Sequence, residues 1–184
     1  FATQVVGLDA TAIGIVTAVG GAGSLVGAAV ATRLARRVGV GGAMILGLVG
    51  FTLGNALIPF APAGAVLVGG ALLVAQQGLG DASATVHDVL ETSVKQSIVD
   101  GRLLGRVNAS IEFLTTLTAL VGSVGGGLGA ELFGLRAALA LGVLGGAAGV
   151  AFLWFSPVRG MRTIPGRVAP TAMPLTPEDL PLTE

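Results

Sequence analysis

The residues of this chain that could do chemistry are few, and most share one stretch. Gln77, Asp81, Thr85, Asp88 and Thr92 follow one another at intervals of four, four, three and four. At about 100° per residue that spacing holds them on one narrow stripe of a helix, with Glu91 on its flank. A carboxyl group in such a stripe can brace two helices through hydrogen bonds. It can also take up and release a proton according to the side it faces, which makes Asp81 a candidate proton carrier. His87, Asp88 and Glu91 are expected near an interface, on a solvated or salt-bridged face. A second polar set follows, Asn108, Glu112, Thr115, Thr116 and Thr118. There Glu112 either reaches outward to water or closes on a basic group, and the threonines bond back to their own helix.

The elements that carry these residues are set by composition. The 184 residues are 53% hydrophobic and 11% charged, with a mean hydropathy of +0.89 and no net charge. A soluble domain has about a quarter charged residues, so a water-facing surface cannot be built from this chain, and a membrane protein is expected. Zero net charge points to no nucleic-acid partner. No cysteine and one histidine leave no disulfide, no thiolate chemistry and no metal cluster, so neither cofactor nor metal is expected. With Phe1 first and no basic segment before an apolar stretch, the chain reads as a fragment without a signal peptide.

The uncharged intervals run from Ala10 to Thr32, Val38 to Gly80, Phe113 to Ala130 and Ala137 to Val158, or 23, 43, 18 and 22 residues. A helix needs about 20 residues to cross a hydrocarbon core about 30 Å thick, so the longest interval must be two spans. Its break falls between Asn55 and Pro62, where Pro59 and Pro62 stop a regular helix. The expectation is an all-α polytopic bundle with five spans near 10–32, 38–58, 64–90, 107–130 and 136–156. Residues 1–8 would be the end of a preceding helix, and Asp9 an N-cap. Residues 157–184, with six of the eight prolines, would be an extended, disordered tail.

Orientation follows from the bases. Arg33, Arg36, Arg37, Lys95, Arg102, Arg106, Arg159, Arg162 and Arg167 all fall on one side of that arrangement, and only Arg136 on the other. The nine-to-one split places those loops and the C-terminus in the cytoplasm of a multi-pass cell-membrane protein.

Thirty-one glycines ask first for a packing explanation. Gly23 and Gly27, Gly122 and Gly126, and Gly125 and Gly129 are each four apart, which puts bare patches on one helix face and lets backbones approach. Such seams can also rock, as transport requires. Gly21, Gly23 and Gly27 after an apolar run imitate a dinucleotide-binding turn. However, the chain has no tyrosine for a short-chain dehydrogenase, and its 43-residue uncharged interval does not suit a soluble α/β domain. No phosphate-binding G-x-x-x-x-G-K-[ST] loop is present, so ATP hydrolysis is not expected here, nor any catalytic residue.

Residues 86–114, "VHDVLETSVKQSIVDGRLLGRVNASIEFL", resemble the loop between the tenth and eleventh helices of the major facilitator superfamily, in the branch of enterobactin- and macrolide-type exporters. "RLLGRVNAS", Arg102 to Ser110, is its most specific part. The glycine run Gly122 to Gly129, the turn Gly134-Leu135-Arg136 and the segment Ser156-Pro157-Val158-Arg159 continue the resemblance over nearly the whole chain. It implies that the five spans correspond to helices eight to twelve of a proton-coupled exporter of a drug- or siderophore-like molecule, lacking its N-terminal six-helix half. In such a carrier the polar stripe leads to the expectation that Gln77 and Asp81 line the substrate and proton pathway, with Asp88 and Glu112 at its inner gate. Arg33, Arg36 and Arg37, with Arg102 and Arg106, form a cytoplasmic latch. Thr32 stands where the superfamily's loop has its Asp, so the first three arginines equally fit a role in orientation alone. The other class of reading is a non-transporting membrane subunit or a truncated, inactive piece, in which the glycine seams serve assembly.

Overall fold

The computed structural model describes residues 1–166, which form helices and the turns between them. Five long helices follow in order: α1 (Ala10–Val38), α2 (Val40–Ala56), α3 (Val66–Ile98), α4 (Gly101–Phe133) and α5 (Leu135–Phe155). A π-helical turn, Ala2–Val6, precedes them, and 3-10 turns lie at Ile58–Phe60 and Pro157–Gly160. The fold is an all-helical bundle. Four of its helical segments, Ala10–Val38, Val40–Phe60, Gly101–Phe133 and Leu135–Phe155, are long and apolar enough to cross a membrane.

The connections are far tighter than the charge pattern suggests. Gly39 alone separates α1 from α2, and Gly134 alone separates α4 from α5, at φ values of 83° and 86° that favour glycine. The expected loop between the third and fourth spans is helical except at Val99 and Asp100. No glycine or proline occurs between Asp81 and Asp100 to stop α3, and the Asp100 carboxylate accepts from Arg102 N–H to start α4. At 1.5 Å per residue, each 33-residue helix is about 50 Å long and overshoots a hydrocarbon core by several turns.

Local signals account for the other ends. The Asp9 carboxylate accepts from Ala12 N–H at 2.7 Å and caps α1. Helix α2 stops at Ala56, and Pro59 sits in the 3-10 turn that follows. The first residues do not continue into α1: after Gly7 the chain turns, and Val5 C=O accepts from Gly64 N–H at 2.9 Å, tying the N-terminal turn to the α2–α3 connection.

Helix α3 lies at the centre, packed along α1 on one side and α2 on the other. Gly23 and Gly27 of α1 lie against Gly78 and Ala82 of α3, whereas Gly47, Gly50 and Gly54 of α2 meet progressively earlier residues of α3, so α1 runs parallel and α2 antiparallel to it. An apolar cluster closes each end of this three-helix unit. One joins Ala31, Val40, Ala43, Met44, Val86 and Leu90. The other joins Val6, Leu8, Ala61 and Leu73.

One expectation is revised here. Residues 157–166 are not an extended tail: Ser156 caps the 3-10 turn, Val158 and Ile164 pack on the first cluster, and Gly41 N–H donates to Met161 C=O at 2.9 Å. The remainder of that segment, with Arg167, lies outside the described residues. Helix α3 is not one of the four segments named above, because Gln76, Gln77 and Asp81 interrupt its apolar run. Its polar middle instead meets protein on two sides.

Candidate functional site

Between the two apolar clusters, α3 presents Gln76, Gln77, Gly78, Gly80, Asp81 and Ser83 to glycines on its neighbours. Gln77 Nε2 donates to Asp81 Oδ2 at 3.3 Å, and Thr85 Oγ1 donates to the Asp81 carbonyl at 2.8 Å. Gln77 and Asp81 are both half-buried and sit against α1 at Gly20. A Cβ at Gly20 would collide with the Asp81 carboxylate and lie 2.8 Å from Gln77 Nε2. Only a residue without a side chain leaves this pair its room. Below Gly20 the backbones themselves touch: a Cβ on Gly23 would stand 2.5 Å from Gly78 C=O, and one on Gly27 would overlap the Ala82 backbone.

The opposite face of α3 is held the same way. A Cβ at Gly47 would stand 2.7 Å from Ser83 C=O and 3.1 Å from His87 Cβ, one at Gly50 would strike Ser83 Oγ, and one at Gly54 would lie 3.1 Å from Gly80. His87 Nδ1 is 3.0 Å from Met44 C=O on α2. The carbonyl can only accept, so Nδ1 carries the hydrogen in that bond. This differs from the solvated position expected for His87, because the α2 glycines bring the helix axes together at its level.

The polar stripe therefore divides. Its first part, Gln77, Asp81 and Thr85, is half-buried against protein, while Asp88 and Thr92 are exposed and Glu91 is half-buried. Glu112 is exposed on α4, which packs along α5 and not along α3, so the structure does not join Glu112 to Asp88 or Asp81. Thr118 donates to Leu114 C=O at 2.8 Å, a bond within its own helix. Among the arginines, Arg33 donates to Ala29 C=O at 3.3 Å, Arg36 and Arg37 line a groove with Arg159 and Arg162, and Arg102 and Arg106 are exposed at the start of α4. Among the described residues no group of three or more metal-ligating side chains forms.

Sequence reasoning passed over Gln76, the one buried polar side chain among the described residues, at 7% exposure. It lies off the Gln77–Asp81 stripe, next to Gly80, whose Cβ would stand 3.3 Å from Gln76 Nε2. The signal that could have found it is the α2 glycine series 47, 50 and 54, which repeats the three-then-four spacing of Gly20, Gly23 and Gly27 on α1. Two bare stripes of that kind predict one shared partner helix between them.

The arrangement is a carboxylate–carboxamide pair on a central helix, clamped between two close helix contacts. Chemically it can exchange a proton or hold a cationic or hydrogen-bonding group. No protein-family model, characterised protein or solved structure was found to match this chain. Its several long apolar helices are compatible with a multi-pass integral membrane protein.

Proposed function

We propose that this chain is the C-terminal half of a major facilitator-type secondary transporter, exporting a small organic molecule, drug- or siderophore-like, by proton-coupled alternating access. The observation that carries this reading is the Gln77–Asp81 pair, half-buried against Gly20 in the polar middle of α3. An ionisable group inside a membrane bundle is a functional candidate by default, and glycine-lined contacts permit one helix group to rock on another. In this reading α1 to α5 are helices eight to twelve. Gln77 and Asp81 line the pathway, Asp88 and Glu112 stand at its inner gate, and Arg33, Arg36, Arg37, Arg102 and Arg106 latch the cytoplasmic face. The partners are the lipid bilayer, an N-terminal six-helix half, the carried molecule and protons. The protein resides in the cell inner membrane with its C-terminus in the cytoplasm, and it performs no enzymatic step.

The test replaces Asp81 by Asn in the complete protein, reconstituted in vesicles. Substrate efflux driven by a proton gradient is expected to lose its coupling, with substrate binding retained. Unchanged coupling removes Asp81 from the mechanism.

A second reading, a non-transporting membrane subunit or inactive piece, is favoured by one observation: no residue of α4 is buried. In that case α4 is covered by an assembly partner and not by a first half. A reading frame upstream encoding six or seven further spans supports the transporter, and its absence supports the subunit.

A further inference from the structure

Positive charge gathers where α1 passes into α2, in an arrangement that goes beyond the latch proposed for Arg36 and Arg37. Arg36 and Arg37 end α1, Arg159 lies in the 3-10 turn after α5, and Arg162 follows it. All four line one groove of about 540 Å³, and no carboxylate lines it among the described residues. The two contributing segments are distant in sequence, yet the fold fastens them together. Gly41 N–H donates to Met161 C=O at 2.9 Å, and Gly39 sits so close that a Cβ there would be 3.2 Å from the same oxygen. Val158 and Ile164 anchor the strap on the apolar cluster of Ala31, Val40 and Met44. Arg159 is stacked 4.1 Å from the centre of the Trp154 ring. Indole rings favour the membrane–water boundary, so the groove sits at headgroup depth when α5 crosses a bilayer.

Arg36 and Arg37 are each favourable at the C-terminus of α1. Four around one concavity repel one another unless an anion joins them, and guanidinium groups are suited to phosphate through paired N–H donors. We infer that the groove formed by Arg36, Arg37, Arg159 and Arg162 is a phosphate-binding site. The phosphate is that of an anionic phospholipid headgroup or a soluble phosphate. Basic pockets between transmembrane helices on the inner face are the kind of place where such headgroups bind. The inference requires no transport activity.

The test uses the purified chain in detergent and native mass spectrometry. Phosphatidylglycerol, phosphatidylcholine and inorganic phosphate are offered separately. Retention of phosphatidylglycerol at least about tenfold over phosphatidylcholine is expected, and R37Q/R162Q should weaken it by about thirtyfold, the factor for two basic contacts near a membrane surface. The charge-matched pair R102Q/R106Q, outside the groove, should retain native binding. Displacement of the lipid by millimolar inorganic phosphate assigns the site to a soluble phosphate, and persistence of the lipid assigns it to the headgroup. Equal retention of both lipids with no bound phosphate overturns the inference. So does a loss in R102Q/R106Q as large as in R37Q/R162Q. If R37Q/R162Q loses helix content by circular dichroism, the native chain's preference between the two lipids decides.

Discussion

Glycine is abundant in both parts of this molecule, and the two parts use it differently. In α1 and α2, Gly20, Gly23 and Gly27 and then Gly47, Gly50 and Gly54 all press on α3, several at backbone contact. In α4, Gly122, Gly125, Gly126 and Gly127 have nothing among the described residues within reach of a Cβ, and Gly129 meets only Ala138 Cβ there, at 3.9 Å. The spacing in α4 suits close packing as well as that in α1. A bare helix face creates the opportunity for contact, and a facing helix has to complete it. Within the described residues α4 packs mainly along α5, and its large apolar side chains, such as Phe113, Leu120 and Leu132, stand exposed. The three-helix unit around α3 by contrast has a core of its own at each end and its polar groups between.

The comparison can be broken by substitution. Gly27→Leu should be the most damaging change, since even its Cβ overlaps the Ala82 backbone. A loss of about 3 kcal/mol or more is expected from overpacking at a contact that cannot yield, read as a lowered thermal midpoint in detergent. Gly47→Ala should cost about 1 to 3 kcal/mol, because the added methyl meets the Ser83 carbonyl at 2.7 Å. If either is neutral in that assay, α3 is not clamped as described. Asp9→Ala removes the carboxylate that accepts from Ala12 N–H and should cost about 1 kcal/mol, seen as fraying of the first turn of α1 in amide exchange. Gly126→Ala should stabilise by about 0.5 to 1 kcal/mol when the chain is studied alone, because open space surrounds the position and alanine favours a helix interior over glycine. Repeated in the complete protein, the same substitution sharpens the contrast: a large loss appearing only there locates the surface that covers α4.

Much of the candidate site was legible before the fold. Asp81 and Gln77 sit four apart, so their hydrogen bond follows from helix geometry alone. The Asp9 cap and the helix-breaking prolines act within a few residues of themselves and are local in the same sense. Gln76 and His87 were not legible in their roles. Each depends on which helix lies opposite, and adjacent glutamines look alike in sequence although one is buried and the other half-buried. The burial of Val158 and Ile164 was missed for a related reason. Proline content spoke for an extended tail, but apolar contact with the α1–α2 corner outweighs it over residues 157–166.

Sequence by itself determined that this chain is helical, apolar enough for a membrane, and marked by one acidic stripe, since hydropathy and helical period are properties of consecutive residues. Tertiary structure alone decided that α3 is the central helix and that Gly20 faces Asp81. It also brought Arg36 and Arg37 beside Arg159 and Arg162. Those facts depend on where separate helices come to rest against one another. That is settled by the fit of side chains and bare backbone between segments distant in the chain, which no local pattern encodes.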